Sequence, residues 1–163
     1  KQRSRPKRKR GLVAFKAHLE HAHVAPGACE IYFYSGGYGG LSVIERGLSN
    51  LCFIVSADDV RRLNSDPDRV LREVVMQNSR AAVTLEQARL HSPWLSVSLE
   101  GFGRNTLTPA NGLLTIGDAA SFIDPFTGSG MLMALESGEL TAHKSAGWLN
   151  CDLSPTRATA PPT

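Results

Sequence analysis

Residues 112–140 read GLLTIGDAASFIDPFTGSGMLMALESGEL, and the order of features in this stretch decides the fold. Leu113 to Ile116 is an apolar run broken only by Thr115, as expected of a strand covered on both faces. Asp118 follows at its end, Asp124-Pro125 favours a turn, and Ser129 to about His143 carries helical spacing. A strand, an acid, a Pro/Gly loop and a helix in that order build a site for a large polar or anionic ligand. The strand brings one carboxylate to a fixed point, and the helix start presents N–H groups that have no intrahelical partner. Such a carboxylate accepts hydrogen bonds from a sugar or polyol chain. Gly128 and Gly130, which lack a Cβ, let a flat ring approach the backbone.

Upstream, the pattern is different. Gly11 to His18, Glu30 to Tyr34, Leu41 to Ile44 and Asn50 to Val55 read as short strands, with Ser35 to Gly40 as a glycine-rich turn, and together they suggest an antiparallel meander. Asp66-Pro67 is a helix start, followed by Val70, Leu71, Val74 and Val75 at helical spacing. Thr84-Leu85-Glu86-Gln87 fits a capping box for a second short helix. Leu95, Val97 and Leu99 alternate with Ser96, Ser98 and Glu100 as in a half-buried strand. The expected fold class is α+β: a mixed or antiparallel sheet with helices over 11–103, then a strand and a helix over 104–146. Residues 1–10 read as a basic disordered segment and 147–163 as a disordered tail rich in Pro, Thr and Ala.

Charge and cysteine usage narrow the function classes. The first ten residues carry seven Lys/Arg and no acid, which leaves 11 basic against 15 acidic residues in the body. A mildly acidic body argues against an extended nucleic-acid-binding face, so no nucleic-acid partner is expected. Salt-sensitive DNA binding through residues 1–10 stays as the least favoured alternative. The three cysteines are far apart and form no CxxC, so a reducing cytoplasm is the default location. No apolar run reaches the roughly 20 residues of a membrane helix, which leaves only peripheral membrane contact open. His18, His21 and His23 do not complete a metal set: His21 and His23 would share a strand face and His18 would point the other way. No metal site is expected.

Gly117-Asp118-Ala119-Ala120, followed by Asp124-Pro125-Phe126-Thr127-Gly128-Ser129-Gly130, resembles the second FAD-binding motif of flavoprotein reductases and monooxygenases with the p-hydroxybenzoate-hydroxylase fold. Ala134, Ser137 and Gly138 extend the match, which is most similar to the geranylgeranyl-reductase-like group. The resemblance implies an α/β parent in which 104–146 is the last strand and helix of a Rossmann-like FAD-binding domain, and an FAD-dependent oxidoreductase reduced by a hydride donor such as NAD(P)H. It would act on a small or lipophilic organic molecule, by alkene reduction or by monooxygenation. Asp118 would hold the ribityl chain, flanked by Gly117 and Ala119. Pro125 would lie beside the isoalloxazine ring, and Gly128, Ser129, Gly130 and Met131 would offer backbone N–H groups to its pyrimidine edge.

The same resemblance assigns 11–103 to substrate binding, with His18 and Tyr38 as the conceivable cavity residues and no side chain identified as catalytic. Ser35-Gly36-Gly37-Tyr38 sits where related reductases carry GGYxWxFP. Here Gly39-Gly40-Leu41-Ser42 replaces its aromatic and proline positions, which leaves isoprenoid specificity open. The WxWxIP motif of flavin halogenases is absent. No GxGxxG follows a strand anywhere in the chain, so the ADP half of FAD has no visible home here. The chain therefore reads as a C-terminal portion of a longer flavoprotein. The alternative is a flavoprotein-like piece that does not bind FAD alone and purifies colourless. Met131, Leu132, Met133 and Leu135 read as helix packing residues. The last helix is also expected to expose apolar surface that an N-terminal βαβ unit would cover.

Overall fold

The computed structural model describes residues 11–99 and 101–152. The expected disordered segment at 1–10 and the tail beyond residue 152 lie outside them. The chain divides into two compact units, Lys1–Gly101 and Phe102–Thr163.

The first unit is an antiparallel sheet in the order β2-β3-β4-β1-β5, with β6 also paired to β1. Its strands are β1 (Leu12–Glu20), β2 (Cys29–Tyr34), β3 (Gly37–Val43), β4 (Ser49–Ser56), β5 (Arg89–Leu90) and β6 (Leu95–Leu99). The expected meander holds for β2 to β4, but β1 lies beyond β4 rather than beside β2. The glycine-rich stretch is mostly strand, because only Ser35-Gly36 turns, with Gly36 at φ +83°. Gly37 and Gly39 make room on the core side. A Cβ on Gly37 would overlap the Ile54 carbonyl oxygen, and one on Gly39 would lie 2.9 Å from Phe53 Cβ. Tyr34 fills the space over Gly37 and donates its hydroxyl to the Ile54 carbonyl at 3.1 Å.

Helices α1 (Ala57–Arg62), α2 (Pro67–Glu73) and α3 (Ser79–Leu85) follow β4. Asp66 caps α2, accepting N–H bonds from Asp68 and Arg69 at 2.9 and 3.2 Å. The sequence reading omits α1, although Ser56 and Asp59 carry its capping pattern: Ser56 Oγ accepts from the Asp59 N–H at 3.1 Å. The expected capping box at Thr84 is not one. Asn78 caps α3 instead, and Thr84 lies fully buried inside it. Phe15, Ala17, Leu19, Tyr32, Leu51, Phe53 and Val55 from the sheet pack with Val60, Leu63, Val70, Val75, Ala81 and Leu85 to form the core. Trp94 closes it edge-on to Phe53, ring centroids 5.6 Å apart, and donates its indole N–H to Asp68 at 3.0 Å.

Glu30 ties β2 to α3. Its carboxylate accepts from Tyr32 Oη at 2.7 Å, Thr84 Oγ1 at 2.8 Å and Arg80 Nε at 3.0 Å. The Arg80 bond holds the carboxyl below the usual carboxylate range against the opposing effect of burial.

The second unit contains β7 (Gly103–Arg104), β8 (Ser121–Phe122) and α4 (Gly130–Asp152). Leu113 to Ile116 forms no ladder strand, which corrects the covered-strand reading. Among the described residues its backbone partners are confined to Ala110 and Leu107. An apolar run becomes a strand only where neighbours supply hydrogen bonds on its edges, and Leu113, Leu114 and Ile116 are exposed here. Helix α4 outlasts its expected end near His143 and runs to Asp152, with no proline between Pro125 and Pro155 to stop it. Met131, Leu132, Met133 and Leu135 are exposed rather than packed. No helix among the described residues is long and apolar enough to cross a membrane.

A carboxylate with a lowered folded pKa stabilises the fold above its unfolded pKa and ceases to do so as the pH falls through the folded value. Glu30→Gln is therefore expected to lose on the order of 1 kcal/mol at pH 7. It should also flatten the fall in stability as the pH drops through and below the usual carboxylate range. Urea denaturation across that range checks both effects, and parallel curves for the two proteins would contradict them.

Candidate flavin site and sheet face

The turn carrying Asp118 is held from below by helix α4. Gly117 takes φ +56° and opens a single 3-10 turn over Gly117–Ala119. Its N–H donates to Ser137 Oγ at 2.9 Å, and that hydroxyl donates to the Ala134 carbonyl at 3.0 Å. A Cβ on Gly117 would sit 3.2 Å from Ala134 Cβ, and one on Gly138 would meet Ile116 Cδ1 at 3.8 Å. The small residues at 117, 134, 137 and 138 thus bring the extended segment against the helix. Asn105 secures the other side: its N–H donates to the Ala120 carbonyl at 2.9 Å, and its Nδ2 reaches the Ala119 carbonyl at 3.2 Å. Asn105 carries no motif signal and is absent from the sequence reading. Ala134, Ser137 and Gly138 are in the motif, but their positioning role is visible only in the fold.

The helix start is built next to this turn. Asp124 Oδ1 accepts from the Phe126 N–H at 3.1 Å, and Pro125–Thr127 makes one 3-10 turn ending at Gly128, φ +64°. The first α-helical bond runs from the Met133 N–H to the Ser129 carbonyl at 3.0 Å. Ser129 is therefore the cap, and the N–H groups of Gly130, Met131 and Leu132 belong to the first turn, which leaves them without intrahelical acceptors. A Cβ on Gly128 or Gly130 would meet nothing within 4 Å, so these glycines face open space. An open depression of about 450 Å³ lies there, lined by Asp118, Pro125, Gly128, Gly130 and Met131 together with Phe122, Ile123 and Ala134. Gly117 and Ala119 shape the Asp118 turn, and Ser129 caps the helix.

The first unit presents a different surface. Residues opposite one another in the register share a face. His18, Asn50, Ser42 and Cys29 form one row of the face away from the helices. Lys16, Cys52, Gly40 and Ile31 form the next, and Ala14, Ile54, Tyr38 and Phe33 the third. Strand β6 continues the last two rows with Leu95 and Val97. The expected half-burial of β6 is not found: Leu95 and Val97 are 65% and 57% exposed on this face. His18 and Tyr38 thus share one face, two rows and two strands apart. His21 and His23 do not continue β1, because His21 turns the chain at φ +60°. Among the described residues no group of three or more His, Cys, Asp or Glu is placed to hold a metal ion. Burial of the thiol raises the Cys52 pKa, which leaves it a neutral S–H at pH 7.

Gly117→Ala is expected to cost about 1–2 kcal/mol for the left-handed backbone alone, plus the crowding against Ala134. Gly128→Ala, at a similar φ with open space around it, should cost only the first part. Ser137→Ala should cost about 1 kcal/mol. Hydrogen exchange of amides in 117–120 and 130–140 checks this order. Equal losses for the two glycine variants would contradict it.

No family model matches the chain, and no curated protein matches it. Solved structures do. The myxobacterial chondrochloren halogenase CndH, an FAD-dependent halogenase, superposes with a TM-score of 0.74 at 19% identity, covering 88% of this chain and 35% of that one. A flavoprotein/dehydrogenase from Cytophaga hutchinsonii gives 0.68 at 14% identity over 88% and 37%. The flavin-dependent brominase Bmp2 gives 0.64 at 18% over 77% and 33%. The chain spans about a third of the length of these three structures. At such identities the likeness establishes architecture: the chain has the fold of the corresponding part of these flavoproteins.

Proposed function

We propose that this chain is the flavin-ring and substrate-facing part of an FAD-dependent oxidoreductase, of the group similar to the geranylgeranyl reductases. The supporting observation is that Asp118 and the first turn of α4 line one depression, with open space around Gly128 and Gly130. These residues fit the flavin end of FAD. Asp118 would accept hydrogen bonds from the ribityl hydroxyls, and Pro125 would pack beside the ring. The N–H groups of Gly130 and Met131 would face its pyrimidine edge, where the α4 dipole favours negative charge by about 0.3–1 kcal/mol.

When bound, FAD would supply hydride transfer or oxygen activation, with NAD(P)H as the reductant. This chain's own residues bind and orient. The interlock of Gly117 with Ser137 fixes where the Asp118 turn begins, and the open sheet face offers a wall for a small lipophilic substrate. The adenine and pyrophosphate would be held by a separate GxGxxG unit, because these residues contain none. The exposed Met131, Leu132 and Leu135 of α4 give such a unit apolar surface to cover. Free Cys29 and Cys52 accord with a reducing, cytoplasmic setting.

Titration of the isotope-labelled chain with millimolar flavin mononucleotide tests this reading. Amide shifts are expected at Gly117–Ala119 and Gly128–Met131, with affinity about tenfold weaker in Asp118→Ala. Shifts absent from both stretches, or an Asp118→Ala titration like the original, would overturn it.

A further inference from the structure

The sheet face away from the helices divides into a polar row and an apolar row, and one cation stands on the border. His18, Asn50, Ser42 and Cys29 make the polar row. Ala14, Ile54, Tyr38, Phe33 and Val97 make the apolar one. Between them run Ile31, Gly40, Cys52, Lys16 and Leu95, from strand to strand. Successive rows lie about 7 Å apart along the strands, so a ligand of ordinary size touches both kinds. Lys16 is exposed and has no ion-pair partner among the described residues. The nearest acid on the same face is Glu20, two positions beyond His18 and opposite Arg89. Its carboxylate is occupied by His91 Nδ1 at 2.7 Å. Glu30, the acid of β2, faces the core and is bound to Arg80. Among the described residues no acid other than Glu20 stands on this face, and Leu95 beside Lys16 is apolar.

We propose that this face binds an amphipathic organic anion whose carboxylate pairs with Lys16. The head group lies toward His18 and Asn50, and the apolar body lies over Ala14, Val97 and Leu95. This names a substrate class for the oxidoreductase reading and rests on it for the claim that the bound molecule is a substrate. Gly40, with no side chain in the border row, leaves a gap between Ile31 and Cys52 where a flat body can lie close to the backbone. Asn50 and the neutral Cys52 thiol add donors that do not repel the carboxylate.

The test is a titration of the labelled chain with 2-naphthoate and with its neutral counterpart 2-naphthylmethanol, without flavin. Naphthoate is expected to shift the amides of Lys16, His18, Asn50 and Cys52 and to bind at least about tenfold more tightly than the alcohol. Lys16→Met keeps the apolar stem and should remove that preference, whereas Lys16→Arg should retain it. Equal binding of acid and alcohol would overturn the proposal, as would an unchanged preference in Lys16→Met or shifts confined to residues 102–152. The flavin reading is scored separately by flavin mononucleotide shifts at 117–131, so either can fail alone. Naphthoate binding through Lys16 with no flavin shifts would leave an anion-binding face without a redox role.

Discussion

The Gly117 backbone resting on the small side chains of α4 is the contact on which the second unit's site depends. Asp118 is exposed on a one-turn segment, and such a turn does not hold its position by itself. It is held because Gly117 can take a left-handed φ and because Ala134 leaves room for it. Ser137 then accepts the N–H that the turn would otherwise leave to water. The same helix starts at Gly130 and Met131, which line the depression. One element therefore positions both halves of the site, the carboxylate from its side and the backbone donors from its end. Asn105 fixes the far edge of the turn through two neighbouring carbonyls.

The two faces of the first unit's sheet differ in composition. The inner face carries the aromatic core and the Glu30 network that joins the sheet to α3. Three glycines in β3 serve this arrangement unequally: Gly37 and Gly39 yield space to tyrosine and phenylalanine on the inner face, while Gly40 opens the outer one. The outer face carries Ile31, Phe33, Leu95 and Val97 exposed, with Lys16 beside them.

Legibility in the sequence followed how local each feature is. The Asp66-Pro67 helix start, the strands at 30–34 and 50–55 and the turn at Asp124-Pro125 are set by neighbouring residues, and the structure has them all. The spacing of Asp118, Asp124-Pro125 and Gly128 to Gly130 is legible because it encodes a turn followed by a helix start. Features set by distant partners were not legible. Thr84 looks like a cap until Glu30, 54 positions away in sequence, accepts its hydroxyl. Leu113 to Ile116 looks like a covered strand because apolarity alone does not say whether neighbours supply a ladder. The alternation in β6 correctly gives a strand, yet period two cannot tell an apolar face turned to a core from one turned to an open surface. Asn105 is a single polar residue whose role exists only once two carbonyls are brought to it.

The most direct measurement is a crystal structure of the chain soaked with flavin mononucleotide. The structure described above predicts the ring in the depression before α4, with an Asp118 carboxylate oxygen within hydrogen-bond distance of a ribityl hydroxyl. The Gly117 to Ser137 bond should stay intact. A flavin bound elsewhere, or an Asp118 turn detached from α4, would show that this interlock does not build a flavin site.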